Sequence, residues 1–306
     1  MEEFDLDSFP VGKTSRGSLT PRLGYPVEIP YIVVRGPRPG PTLLVTAGVH
    51  GAEYASIEAT IRLSHTNPDK LTGTLVVLPI LNVPGFFARS IYINPVDGKN
   101  LNRVFPGKTA GTFTERLALW VTESFIHKAD AYIDLHGGDL IESLTPFAIC
   151  AQGDSRSLEL AKVFGLRYII MGSGSGMSFM AGSGRGVPSV LAEAGGQGQW
   201  PDQEVQRLNS GVERVMQHLG MLPGDPEPVE VTTLTRFAWL RAEATGLWYA
   251  RVTAGIQVEA GQIVGVITDA FGKVLQEAIA TVGGVVLFAV SSLAINEGDP
   301  LVGIGA

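Results

Sequence analysis

Between residues 42 and 220 the apolar positions follow two alternating rhythms. Short runs rich in β-branched residues (TLLVTA from Thr42, TLVVLPI from Thr74, AYIDL from Ala131, PFAICA from Pro146 and VPSVLAE from Val187) have strand length and composition. Between them apolar residues return every third or fourth position. The clearest such stretch follows Gly111, where Thr112 and Glu115 have capping-box spacing and Leu117, Val121 and Phe125 share one helical face. A second helix is predicted over 202–219. Alternating strands and helices define an α/β class, with a helix-flanked sheet. At 223–228 the three prolines of PGDPEP stop both helix and central strand, which predicts a boundary between domains 1–225 and 226–306.

Beyond that boundary the pattern is all-β and repeats at an offset of 37 residues. Val258 and Gly261 match Ile295 and Gly298, Val264 and Ile267 match Leu301 and Ile304, and Gly246 matches Gly283. Two strand-turn-strand halves packed on one another are expected. The layout, with ITDAFGKVLQEAIATVGG as the hairpin between halves, resembles a biotinyl/lipoyl-type barrel sandwich. Ala270 stands where such domains carry their modified lysine, and Lys273 lies three residues on. The expected role is therefore structural, a β module packed on or rimming the first domain.

Composition narrows the partners. With 45% hydrophobic and 17% charged residues the chain is an ordinary globular one, and a net charge of -7 argues against a nucleic-acid footprint. The N-terminus MEEFDLDSF has no basic and apolar leader pattern, and no apolar run is long enough to span a bilayer. A cytoplasmic protein acting on a small molecule, without membrane or nucleic-acid partners, is expected; assembly into a homo-oligomer is left open. The single cysteine, Cys150, lies in an apolar strand-like run and is assigned no chemistry.

The candidate chemistry sits where strand-like runs end. TLLVTAGV leads into His50 and Glu53, and this His-x-x-Glu spacing at a strand end turns an imidazole and a carboxylate to one side. AYIDLHGGD places His136 at the end of another run, where loops at the same sheet edge bring it to the pair. Two histidines and one glutamate leave a fourth position for water. That is the donor set of a hydrolytic Zn²⁺ site, with one ion per chain. His65, His127 and His218 lack partners at ligand spacing and read as surface or helix-end residues. The glycine-rich stretch GSGSGMSFMAGSGRG at 172–186 reads as a mobile rim or lid over the site, since it lacks both the P-loop ending and the dinucleotide spacing.

Four motifs in order, GVHGAEY, ARSIYINPVDGKNLNRVFPG, DLHGG and VPSVLAEAGG, resemble the succinylglutamate desuccinylase/aspartoacylase family over the first 220 residues. The resemblance implies a zinc-carboxypeptidase-like mixed sheet and a zinc-dependent amidohydrolase, a deacylase cleaving the amide bond of an N-acyl amino acid or related small amide. It also implies roles. His50, Glu53 and His136 hold zinc, and Glu193 is the general base that moves a proton from zinc-activated water to the leaving amine. Arg89 lies beside the scissile carbonyl, and Asn102 and Arg103 hold a substrate carboxylate, for which a planar guanidinium fork is suited. Two departures stand out. Family members often carry Asp where this chain has Asn100, to orient a zinc histidine; Asp97 or Asp134 is the alternative partner. The arginine that grips a second substrate carboxylate in aspartoacylases has no clean counterpart, Arg185 being displaced. A metallocarboxypeptidase acting on peptides and a non-catalytic metal-binding or carrier-like module are the competing readings.

Overall fold

In the computed structural model, residues 4–306 are described. The first block forms one nine-stranded mixed sheet whose strands, in chain order, begin with β1 (Lys13–Leu19), β2 (Ile29–Arg35), β3 (Arg38–Thr46), β4 (Thr72–Leu78) and β5 (Ala131–His136). They continue with β6 (Glu142–Leu144), which belongs elsewhere, β7 (Phe147–Ala151), β8 (Tyr168–Gly172), β9 (Ser189–Glu193) and β10 (Thr232–Leu234). The order across the sheet is β1-β2-β4-β3-β5-β9-β7-β8-β10. Strands β4, β3, β5 and β9 run parallel, while β2 and β7 join them antiparallel. The five strand-like runs of the sequence are β3, β4, β5, β7 and β9.

Near-continuous apolar runs in the central strands reflect burial on both faces. One face packs α1 (Tyr54–Arg62), α4 (Ser155–Phe164) and α6 (Asp202–His218), through residues such as Ile57, Leu160, Phe164, Val205 and Val212. The other packs α3 (Phe113–Ser124) and α5 (Ser178–Ser183); α2 (Val83–Ala88) lies at the sheet's carboxyl edge side of β4. The helix after Gly111 starts as predicted, with the Glu115 carboxylate accepting the Thr112 N–H at 2.9 Å.

The C-terminal strands are β11 (Phe237–Arg241), β12 (Gly246–Ala250), β13 (Gln257–Val258), β14 (Ile263–Thr268), β15 (Val274–Ile279), β16 (Gly284–Val290), β17 (Ala294–Ile295) and β18 (Pro300–Gly305). They form two antiparallel sheets around a core containing Trp248, Val258, Val264, Ile267, Ile295, Leu301 and Ile304. The repeat appears directly in the pairing. β12 pairs with β14 and β17, and β16 pairs with β18 and β13, so each half lends its short strand to the other.

The two blocks also exchange strands. β10, which follows the proline-rich segment, extends the large sheet beside β8, and β6 from the first block pairs with β16 of the C-terminal sheet. The C-terminal β unit is thus stitched to the loop that follows His136.

Candidate active site

Three neighbouring parallel strands deliver the principal side chains to one edge. β3 ends just before His50, β5 ends on His136 and β9 ends on Glu193; His136 and Glu193 are direct register partners. This is the carboxyl edge, where open α/β sheets carry their ligands. Gly48, in the left-handed region at φ 65, turns the chain out of β3 toward His50. Glu53 occupies the N-cap of α1 but makes no capping bond, so its carboxylate is free to face the histidines while remaining at the helix's positive end.

His50, Glu53 and His136 are all buried, and one ligand atom from each lies within 4.8 Å of the others. Their hydrogen bonds fix the orientation of the rings. The Asn100 side-chain oxygen accepts the Asn102 N–H at 2.8 Å, so the His50 Nε2 that meets it at 3.1 Å carries the proton and donates. His136 Nε2 likewise donates to the Asp134 carboxylate at 3.0 Å. With Nε2 of each ring turned outward, both Nδ1 atoms face inward, 2.6 and 2.9 Å from the two Glu53 oxygens. Against its burial, Asp134 and Glu53 together hold the His136 imidazole well above its ordinary range. His136 Nδ1 is buried without a hydrogen-bond partner. Two imidazole nitrogens and a carboxylate converging in a buried space fit a divalent cation, which would take the place of the protons they share, and the two-His, one-Glu set fits zinc. Burial raises the Glu53 carboxyl, but His136 and His50 more than offset this and hold it down at about 2.

The partners behind the histidines divide the work. Asn100 itself holds His50. Asp134 holds His136 and also accepts hydrogen bonds from Thr46 Oγ1, at 2.7 Å, and from Ser178 Oγ. Asp97 is engaged elsewhere, by the backbone and hydroxyl of Thr114.

Glu193 has one carboxylate oxygen fully enclosed and without a hydrogen-bond partner. Burial first, and the Glu53 charge second, push its carboxyl well above the ordinary range. Close backbone surrounds it: at Gly195, φ 79, an added Cβ would come 2.6 Å from the Ala55 Cβ, and at Gly196 2.3 Å from the Glu142 carbonyl oxygen. Asn102 is buried, and its oxygen accepts the Ser178 N–H at 2.9 Å. The Arg103 guanidinium bonds the neighbouring Asn102 carbonyl, at 2.8 Å. Lost solvation and the nearby Arg241 guanidinium lower Arg103, against the pull of Glu193. Arg89 is at the C-cap of α2, exposed and left-handed at φ 53, and its guanidinium makes no hydrogen bond or ion pair among the described residues. Arg185 is exposed at the end of the glycine-rich stretch.

That stretch is only partly a loop. Residues 178–183 form α5, with Phe179 fully buried and Ser178 bonded to Asp134, so the lid reading is corrected for this half. Periodicity could not reveal a helix this short. His127 and His218 approach only Glu123 and Glu159, and His65 is exposed, all three away from the site as expected.

Sequence reasoning missed a second group. Tyr92 stands edge-on to the His50 ring, with centroids 5.5 Å apart, and Asp139 and Glu142 are buried beside it. Burial and the Glu53 charge push Asp139 up to about 7, and burial raises Glu142. Arg241, from β11, was also missed; its charge acts on Arg103, while its guanidinium bonds the Gly298 carbonyl at 2.7 Å. Tyr92 lies within the motif that begins at Ala88, but nothing in that motif assigns it a role; Glu142 and Arg241 lie outside the four motifs, and strand exchange through β6 accounts for the placement of Glu142.

The succinylglutamate desuccinylase/aspartoacylase catalytic-domain family model matches residues 39–219. A curated relative, N-alpha-acetyl-L-2,4-diaminobutyric acid deacetylase of Halomonas elongata, is 31% identical over 257 residues, covering 79% of this chain and 75% of its own. The product-bound ectoine utilization protein EutE (DoeB) of Ruegeria pomeroyi superposes with a TM-score of 0.87 at 27% identity, covering 98% of both chains. A succinylglutamate desuccinylase/aspartoacylase structure from Rhodobacter sphaeroides gives 0.83 at 27% identity, covering 96% of this chain and 95% of that one.

Proposed function

In a chain that belongs to the succinylglutamate desuccinylase/aspartoacylase family, and is therefore an amide-hydrolysing deacylase, we propose a zinc-dependent enzyme that removes the acyl group from an N-acyl amino acid. The observation that carries the metal is the convergence of both Nδ1 atoms and the Glu53 carboxylate in one buried cluster. The curated relative supports N-acetylated 2,4-diaminobutyrate as the first substrate to try. Cytoplasmic location, a division into a 1–225 catalytic domain and a 226–306 β domain, and the absence of nucleic-acid or membrane partners belong to the same proposal. Among the described residues no helix is long and apolar enough to cross a membrane.

His50, Glu53 and His136 would hold a zinc ion, which when bound would supply Lewis-acid polarisation and a more acidic water. The protein's own residues do the rest. Glu193 takes a proton from the attacking water on its carboxylate and delivers it to the leaving nitrogen. Its raised affinity for a proton keeps that proton in the cleft, and added positive charge at the neighbouring ligands works the other way, favouring the ionised form that begins the cycle. Arg103, with Asn102 fixing its loop, anchors the substrate carboxylate. Arg241 adds a second cation there. Arg89 is assigned to the carbonyl oxygen, reaching in from the exposed C-cap of α2.

The test is amine release from N-acetyl, N-succinyl and N-formyl amino acids, N-acetyl-2,4-diaminobutyrate included, by zinc-loaded and chelated protein. Zinc-dependent release from one acyl class is expected. Release only of C-terminal residues from peptides would replace the deacylase with a carboxypeptidase.

A further inference from the structure

Tyr92 is held in a conformation that needs a reason. It is a bulky aromatic residue in the left-handed region, φ 59, where side chain and backbone crowd one another. Three contacts hold it there. Its N–H donates to Asp139 Oδ2 at 3.0 Å, its hydroxyl donates to Glu142 Oε1, and its ring meets His50 at an interplanar angle of 79°. His136 meets the His50 ring separately, centroids 5.1 Å apart, so His50 has an aromatic neighbour besides its fellow ligand.

The acids that hold Tyr92 are themselves locked. Glu142 Oε2 accepts the Asp139 N–H at 3.2 Å, and Asp139 Oδ1 accepts the Leu140 N–H at 2.8 Å. Both carboxylates are buried and spend every oxygen inside the loop or on Tyr92. Their function is to grip, with no oxygen left over for a ligand. Burial and the adjoining Glu142 push the Tyr92 hydroxyl far up, so it stays a neutral donor.

The grip originates in the C-terminal sheet. Glu142 lies in β6, opposite Val290 of β16, and the Ser291 N–H donates to the Ile141 carbonyl at 2.7 Å while the Thr145 N–H donates to Leu287 at 2.8 Å. From these contacts we infer that Tyr92 is a positioning residue that transmits the docking of the C-terminal β sheet, through Glu142, to the orientation of the metal ligand His50. The inference rests on the proposed metal role of His50. It gives the β unit a part in the chemistry beyond rimming the cleft.

The experiment uses the full-length protein with Co²⁺ in place of Zn²⁺, comparing wild type, Tyr92→Phe, Ser291→Pro and the double variant. Visible absorption of the bound cobalt and metal affinity by chelator competition are read together with kcat, KM and thermal unfolding. Tyr92→Phe keeps the ring and removes only the hydroxyl. It should shift the cobalt bands and weaken metal binding about tenfold, at the lower end for outer partners of metal ligands, and lower kcat more than KM. Ser291→Pro should do the same and add little in the Tyr92→Phe background, since both break one line of contact. Cobalt bands and affinity unchanged in Tyr92→Phe, with only the unfolding temperature lowered, would overturn the inference and leave the metal reading intact. A wild-type protein that bound no divalent ion would overturn both.

Discussion

Replacing Asp134 with Asn tests whether the site is built from behind the ligands. The carboxylate is fully buried and accepts from His136 Nε2, Thr46 Oγ1 and Ser178 Oγ. An amide oxygen left facing His136 and Ser178 still accepts both protons. Each bond loses its charge assistance, worth about 1–1.5 kcal/mol, so the pair loses about 2–3 kcal/mol. The new NH₂ then faces Thr46, whose hydroxyl lies 2.9 Å from Tyr132 Oη and can turn to accept it. Asp134→Ala has no such escape and strands three buried donors. For Asp134→Asn, unfolding of the metal-free protein should shift down by roughly 4–12 °C, at 2–4 °C per kcal/mol. Zinc affinity by chelator competition should fall about 10- to 100-fold, the usual cost of losing a carboxylate behind a metal histidine. If the Asn variant kept wild-type zinc affinity, Asp134 would not orient His136, and the account of how the ring's Nδ1 is turned inward would fail with it.

Glu193→Gln should retain zinc, measured by metal analysis, and lose about 10²- to 10⁴-fold in kcat; wild-type turnover would move the base elsewhere. Arg103→Met and Arg241→Met should each raise KM with little change in kcat, because a carboxylate is equally charged in the ground and transition states. Amidating the substrate carboxylate should then harm wild type much more than Arg103→Met, and equal discrimination by both would remove Arg103 as the anchor. Burial, with Asp154 adding to it, pushes the Cys150 thiol from 9.0 up to about 11. The folded state thus holds this proton more tightly than the unfolded one, so stability is untouched below pH 9 and falls from there to about 11. Alkylation at pH 8 should therefore require denaturant, and rapid labelling of the native protein would contradict the buried placement.

The clustering of His50, Glu53 and His136 was readable because both histidines follow apolar runs, and runs of this kind become adjacent parallel strands whose ends share one edge. The C-terminal repeat was readable for a related reason: β13 and β14 recur as β17 and β18 at the same 37-residue offset. Asp134 falls on the face of β5 that carries His136, since strand neighbours two apart point the same way. Sequence alone left open which histidine it served. Tyr92, Asp139, Glu142 and Arg241 were not readable, because their neighbourhood is made by β6 crossing to β16, a three-residue strand with no pattern of its own. The residues of α5 were hidden by the glycines that flank them, which resemble a flexible loop, although Phe179 and Ser178 are buried.

The same exchange explains why so many acids crowd one site. Asp139, Glu142 and Glu193 are all raised, first by burial, and Glu53 raises each of them further. Glu142 in turn raises Glu193. A carboxylate carried on a strand of the C-terminal sheet therefore acts on the site twice, by gripping the tyrosine beside His50 and by strengthening the proton affinity of Glu193. Burying Glu142 there is tolerable because Tyr92 and the Asp139 N–H occupy its oxygens, and because a cation among His50, Glu53 and His136 would offset the accumulated negative charge. On the proposed roles, the β unit, the three candidate ligands and Glu193 consequently form one electrostatic system, and a change in how β6 pairs with β16 should reach the Glu193 proton as well as His50.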